Sequence, residues 1–202
     1  MVVIPVRALE GAKSRLGEVL DAEERRDLVT RLLEQTIAAA RTAVRVDAVV
    51  VVSPDAATLS LAAAAGARAL PQRGGGLNAA VGQARDLAVE EGFAAVIVLP
   101  GDLPFVDGPA IDALVAAADE DLEPVVVLVP DRHGRGTNAL LLRPPGVIDT
   151  AFGGDSRDAH ERRALAAGAR YVERDGSLGV DVDTPDDLLL VEEAVRAPER
   201  AI

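Results

Sequence analysis

The sequence predicts a single open α/β domain: a mostly parallel, twisted sheet in three layers, with helices on both faces. Three observations carry this expectation. Strand-like and helical runs alternate along the 202 residues. Several strand runs, Val46–Val52 and Ala94–Leu99 among them, are almost wholly apolar, the mark of strands buried on both faces. The helical runs between them begin and end at Gly, Pro, Ser or Asp and supply the crossovers that parallel strands need.

The elements follow in order. Met1–Val6 is an apolar strand, Arg7–Gly17 a polar loop rich in charge, and Ala22–Arg41 an amphipathic helix. Val46–Val52 is a strand, and Ser53, Pro54 and Asp55 open an alanine-rich helix that ends near Gly66. Arg68–Leu70 is a short strand before the Gly74-Gly75-Gly76 turn, Leu77–Glu91 a helix, and Ala94–Leu99 a buried strand followed by the loop Pro100–Pro104. Helix Gly108–Ala118 leads to strand Val125–Val129, a polar turn Asp131–Gly136 and strand Asn138–Leu142, the last two strands suited to antiparallel pairing. Helix Ser156–Gly168, strands Tyr171–Arg174 and Leu178–Val182, and a helix from Pro185 to about Val195 complete the pattern. No linker divides the chain, so residues 1–196 are expected to be one domain and 197–202 a frayed tail.

Composition narrows the function. The 33 acidic residues outnumber the 21 basic ones, for a net charge of −12, which argues against nucleic acid and anionic membrane as partners. Without cysteine and with only 2 His, a thiolate nucleophile is excluded and a zinc centre disfavoured, so carboxylates must hold any metal. The apolar runs are too short to span a bilayer and the N-terminus reads as a strand, so the cytoplasm is the expected compartment. All but one of the basic residues are arginine; the exception is Lys13. Such a bias follows from a GC-rich genome, and a lone ammonium suits a phosphate oxygen.

In an open α/β sheet, ligands sit beyond the carboxyl ends of the strands, which directs attention to the loops after Val6, Leu70, Leu99 and Val182. Arg7 to Leu16 gathers Arg7, Lys13 and Arg15 with Gly11 and Ser14, a loop able to wrap a polyphosphate or simply to be solvated. It is not a Walker A loop, because Ala12 stands before Lys13. Gly74, Gly76 and Ala79 meet a relaxed dinucleotide fingerprint in the wrong turn; they read as an ordinary turn or a close approach to a base or ribose, with Asn78 offering its amide.

Gly101-Asp102-Leu103-Pro104 sets a carboxylate at a strand end. In Asp181-Val182-Asp183, strand alternation would put both acids on one face, where like charges call for a cation, and hard oxygen donors suit magnesium. Thr184, Pro185, Asp186 and Asp187 read as a helix start, acids for structure rather than catalysis. Thr137 with Gly153, Gly154 and Ser156 could form an anion pocket at a helix N-terminus, with His160 one turn on facing the same ligand or merely buried. His133, between Arg132 and Gly134, reads as solvated.

These residues give the chain a resemblance to the nucleotidyltransferases of GT-A-like, Rossmann-like fold. More narrowly it resembles the guanylyltransferases of deazaflavin coenzyme (factor 420) biosynthesis, which join a small phosphorylated acid to GMP. The resemblance spans nearly the whole chain and rests on Ala12-Lys13-Ser14-Arg15-Leu16 after Pro5-Val6, Gly76-Leu77-Asn78, Gly101 to Pro104, Gly136 to Leu140, Phe152 to His160, and Asp181 to Pro185. The last of these is shared with other nucleotidyltransferases and indicates only the superfamily, whereas the middle ones are specific. Where family members often carry lysine after the first strand, this chain has Arg7.

The resemblance implies a cofactor Mg2+ held by Asp102, Asp181 and Asp183. It implies that Lys13, Ser14 and Arg15 lie near the triphosphate of GTP and Leu77 and Asn78 near its base, with Thr137, Gly153 and Ser156 holding the acceptor. Lys13, Arg15 and Asp102 are then the catalytic set. The acceptor it implies is phosphoenolpyruvate or 2-phospho-L-lactate, with 3-phospho-D-glycerate a further alternative, and the GC-rich composition inclines to phosphoenolpyruvate. The resemblance leaves room for a homodimer and for product handover to the next enzyme. The rival readings are a nucleotidyltransferase for a sugar phosphate or a molybdenum cofactor precursor, a nicotinamide oxidoreductase, and a non-catalytic GTP-binding protein.

Overall fold

A computed structural model describes residues 1–9, 12–119 and 124–196, with side chains as far as 191; the expected tail, 197–202, lies outside the described residues. In chain order the elements are β1 (Val2–Pro5), α1 (Ala22–Thr42), β2 (Val49–Ser53), α2 (Ala56–Ala64), β3 (Arg68–Pro71), α3 (Leu77–Glu90) and β4 (Val96–Val98). Then come α4 (Gly108–Ala118), β5 (Val125–Pro130), β6 (Thr137–Arg143), α5 (Ser156–Ala166), β7 (Arg170–Glu173) and α6 (Pro185–Arg196). Short 3-10 turns occupy Ser14–Glu18 and Ser177–Gly179.

The described strands form one seven-stranded sheet in the order β3-β2-β1-β4-β6-β5-β7. β3, β2, β1 and β4 are parallel, as are β5 and β7, whereas β6 runs antiparallel to both β4 and β5. The expected antiparallel pair is therefore present, with Leu128 opposite Leu140. From β1 the chain moves outward to β2 and β3, then returns to the other side of β1 as β4. That reversal opens a crevice at the carboxyl ends of β1 and β4, where such folds bind ligands.

Period-two alternation divides the interior into two cores. Val2, Ile4, Val49, Val51, Val125, Val127, Ala139 and Leu141 face α1 and α4; Val3, Val50, Val52, Val126, Leu128, Leu140 and Leu142 face α3 and α5. Helix α1 begins at a capping box, Asp21 accepting from the backbone N–H of Glu23 and Glu24 while the Glu24 side chain accepts from that of Asp21. Its buried stripe includes Val29, Leu33, Ile37 and Ala40, and each large apolar side chain so buried contributes about 1.5–3 kcal/mol before entropy is charged against it.

One expected strand is absent. Leu178–Val182 forms a 3-10 turn followed by extended chain without a ladder partner. Val182 packs instead into a small third cluster with Leu16 and Leu32, and Leu20, Leu28, Leu188 and Val191 close around it. The cluster ties the loop after β1 and the segment before α6 to α1, which brings Lys13 and Asp183 together. Among the described residues no helix is long and apolar enough to cross a membrane.

Candidate active site

A cavity of about 560 Å3 lies at the crevice between β1 and β4. Arg7, Lys13 and Ser14 from the loop after β1, Asp102 from the loop after β4, Leu77 from α3, Thr137 from β6, Phe152 and Asp183 all line it. The β4 loop is pinned by Leu99 and Leu103, both fully buried, so Asp102 projects from fixed backbone. Gly101 permits this approach: a Cβ there would stand 3.2 Å from a Leu33 methyl and 3.4 Å from Val6.

Lys13 is the centre of the charge arrangement. Its ammonium donates to Asp102 Oδ2 and, at 2.6 Å, to Asp183 Oδ1. The lysine side chain is only 8% exposed, whereas those of Asp102 and Asp183 are 24% and 47% exposed, so the ammonium is sheltered while its Asp183 partner meets water. Burial opposes its charge, but Asp102 and Asp183 outweigh that and hold its pKa above the ordinary lysine value. Lys13 has φ 55°, a left-handed conformation that a side chain with a Cβ adopts rarely and that recurs at functional sites.

Asp181 stands behind this pair, its Oδ1 accepting from the buried Asn138 amide at 3.2 Å. Its pKa is raised, first by burial and then by the charges of Asp102 and Asp183. The three acids expected to share a cation thus feel one another, although strand alternation is not what gathers them, because the segment is not a strand. Among the described residues no three acids or histidines stand close enough to grip a metal as they are, with the Lys13 ammonium between Asp102 and Asp183. Asp102 Oδ1 is buried without a hydrogen-bond partner, an oxygen left for something else.

Asp187, assigned by sequence to the helix start, has that role and a further one. Its Oδ2 accepts from the backbone N–H groups of Asp183 and Thr184 and from the Thr184 hydroxyl, and Arg132 stands 2.6 Å from its other oxygen. It therefore fixes the turn that carries Asp183.

Other expected residues fall elsewhere. Arg15 is exposed on the 3-10 turn and does not line the cavity. Asn78 is committed to protein: Phe152 N–H donates to its Oδ1 at 2.8 Å and its Nδ2 donates to Phe152 C=O at 3.0 Å, so it tethers the loop before α5 rather than offering its amide to a base. Ser156 is buried at the start of α5, and Gly153 is exposed beside Phe152. Arg7, whose role the sequence leaves open, lines the cavity; its position directly after β1 is the available signal. The glycine turn is closed by Gln72, whose amide donates to Gly74 C=O and Gly76 C=O, and Gly76 takes φ 83° as the residue before α3.

His160 is fully buried, with both ring nitrogens hydrogen-bonded inside the protein, and does not face the cavity as a ligand contact. Burial, helped by Arg163, pushes its pKa down from 6.5 to about 4. Between those values the unfolded chain binds the proton that the folded chain refuses, so stability is complete above about 6.5 and declines as pH falls toward about 4. The expected slope from this group is at most ~1.4 kcal/mol per pH unit. Urea unfolding across that window should show a slope in the native chain that is shallower in His160→Asn; identical slopes would mean that His160 is not the group refusing the proton.

The family model described as "Guanylyl transferase CofC like" matches residues 1–193. A phosphoenolpyruvate guanylyltransferase of Sphaerobacter thermophilus is 44% identical over 189 residues, 93% of this chain and 90% of the relative. One from Rubrobacter xylanophilus is 44% identical over 191 residues, 94% and 92% of the two chains. In fold, the chain is similar to the 4-diphosphocytidyl-2C-methyl-D-erythritol synthase of Anaerococcus prevotii, with a TM-score of 0.66, 8% identity and coverage of 96% and 95%. An extensive match at 44% identity and a nearly full-length family match together identify the lineage: the chain belongs to the CofC-like guanylyl transferase family.

Proposed function

We propose that this guanylyltransferase moves GMP from GTP to phosphoenolpyruvate, releasing pyrophosphate and forming enolpyruvyl-diphospho-guanosine. The observation that carries the proposal is the cation–carboxylate cluster of Lys13, Asp102 and Asp183 on the wall of the cavity at the sheet's switch point. The choice of acceptor is supported by the relatives, which carry phosphoenolpyruvate in their names.

The chemistry asks little of side chains as acids or bases. A phosphate monoester has its second pKa near about 6, so the acceptor is already a nucleophilic anion at neutral pH. One of its oxygens forms a bond to the α-phosphorus while the bond from that phosphorus to the bridging oxygen breaks, and pyrophosphate leaves with the electron pair. Catalysis then consists of alignment and charge neutralisation. Lys13 and Arg7 line the cavity as the cations available to the triphosphate. Leu77 offers apolar surface for the base, and Thr137 serves the acceptor acid from the cavity wall; Gly153 and Ser156, which the resemblance assigns to the acceptor, do not line the cavity.

Asp102, Asp181 and Asp183 are the residues that would hold magnesium. The donor set fits: all are hard oxygens, Asp102 Oδ1 is buried and unpartnered, and the Asp181 carboxylate is held under repulsion from the other two. Bound there, magnesium supplies positive charge to the triphosphate and the leaving pyrophosphate.

The test is pyrophosphate release with magnesium and GTP, offering phosphoenolpyruvate, 2-phospho-L-lactate and 3-phospho-D-glycerate separately, each with and without the next enzyme as a product trap. Release with phosphoenolpyruvate is expected. Release with another acid alone would replace the acceptor, and GTP binding without release from any of them would leave a nucleotide-binding protein.

A further inference from the structure

Both nitrogens of the buried His160 ring are occupied. Nε2 accepts the backbone N–H of Ala151 at 2.9 Å, and Nδ1 lies 3.1 Å from Thr137 Oγ1. A backbone N–H can only donate, so Nε2 carries no proton; a neutral imidazole then holds its proton on Nδ1 and donates it to the threonine oxygen. The Thr137 hydroxyl hydrogen must turn elsewhere. It meets no acceptor among the described residues, and Thr137 lines the cavity.

We propose that His160 is a positioning residue: by donating from Nδ1 it obliges the Thr137 hydroxyl to donate in turn, into the cavity, to an anionic oxygen of the phosphorylated acid. The inference rests on the reading of this cavity as the acceptor site. Phe152 stands edge-on to the ring with centroids 5.0 Å apart, and Asn78 holds the Phe152 backbone on both its N–H and its C=O, so the imidazole cannot easily rotate. The depressed pKa of His160 agrees with a ring that stays neutral at physiological pH. An imidazolium would set a second N–H against that of Ala151. A hydroxyl fixed as a donor discriminates by chemistry, since it satisfies a carboxylate or phosphate oxygen and leaves an N–H or O–H of a wrong ligand unpaired.

The chain has only two histidines, His133 and His160, so nitrogen-15 NMR of the labelled full-length protein reads the two rings separately, with His160→Asn for assignment. The expected pattern for His160 without any ligand is a neutral ring protonated on Nδ1, and that resonance moves in Thr137→Val and on adding phosphoenolpyruvate. In kinetics, Thr137→Val and His160→Gln should each lower kcat/KM for the acceptor about tenfold, as loss of one charge-assisted hydrogen bond does, with KM for GTP within about twofold of native. The double variant should be no worse than Thr137→Val alone. His160→Asn, whose amide can donate from the position of Nδ1, should recover most of the loss.

A ring protonated on Nε2, losses that add in the double variant, or an equal rise in KM for GTP would each overturn the proposal. Because the tautomer is read on the native chain, a His160 variant that fails to fold does not prevent the decision. Failure of the underlying functional reading looks different: the native enzyme would release no pyrophosphate with any phosphorylated acid.

Discussion

Asp102→Ala is expected to lower kcat for pyrophosphate release by about a thousandfold while leaving the fold intact. The carboxylate stands on fixed backbone between the buried Leu99 and Leu103, lines the cavity and accepts from Lys13. Its removal deletes a proposed magnesium donor and frees one side of the ammonium that would serve the triphosphate. The effect on stability should be small. Lys13 keeps Asp183 at 2.6 Å as a counterion, and the substitution removes a buried oxygen, Oδ1, that has no hydrogen-bond partner. Breaking a buried pair from one side is otherwise costly, and here the retained Asp183 contact and the loss of an unsatisfied buried oxygen offset that cost. Single-turnover assays beside urea unfolding separate the two quantities. A native rate in Asp102→Ala would remove this residue from the magnesium assignment and from catalysis together.

The fold is legible in the sequence because its physics is local and periodic. Val46 to Val52 reads as a strand buried on both faces, and alternate residues of its observed part, Val49 to Val52, do enter opposite cores. The antiparallel β5–β6 pair is legible from two apolar runs around a polar turn. Leu178–Val182 carries the same alternation and fails as a strand, because an apolar residue can be buried by helices as well as by a ladder: Val182 is satisfied against Leu16 and Leu32. Asp181 and Asp183 therefore stand out for a reason that the structure replaces. The sequence distance between partners sets the limit elsewhere. Asn78 meets the backbone of Phe152 across 74 residues, and no local pattern distinguishes an amide that tethers a loop from one that faces a base. His160 is similar, since its place one turn beyond Ser156 puts it near the acceptor region but cannot tell a ligand contact from a ring that stands behind Thr137.

Lys13→Met should reduce both turnover and stability, and make stability depend more steeply on magnesium. The native ammonium lies between Asp102 and Asp183, and its raised pKa means that its stabilising contribution is fully present below the ordinary lysine value of 10.5, so across the physiological range. Methionine keeps the length and apolar stem but leaves Asp102, Asp181 and Asp183 without that counterion. Breaking a buried pair from one side costs about 3–5 kcal/mol, and because Asp183 is 47% exposed and partly screened by water the expected loss is about 2 kcal/mol. Magnesium held by these carboxylates would bind the folded site and not the unfolded chain, and so would raise the melting temperature by mass action. In the native chain magnesium would compete with the ammonium for these carboxylates; in Lys13→Met it would meet uncompensated carboxylates and should raise the melting temperature by more. Turnover should still fall about a hundredfold even at saturating magnesium, because no cation reaches the triphosphate from position 13. Lys13→Arg sharpens the contrast, since a planar guanidinium restores charge but not a compact point donor between two carboxylates, and should recover stability more than rate. Equal magnesium-induced shifts in the native chain and in Lys13→Met would mean that lysine and metal do not share these carboxylates, and the metal would have to be sought elsewhere.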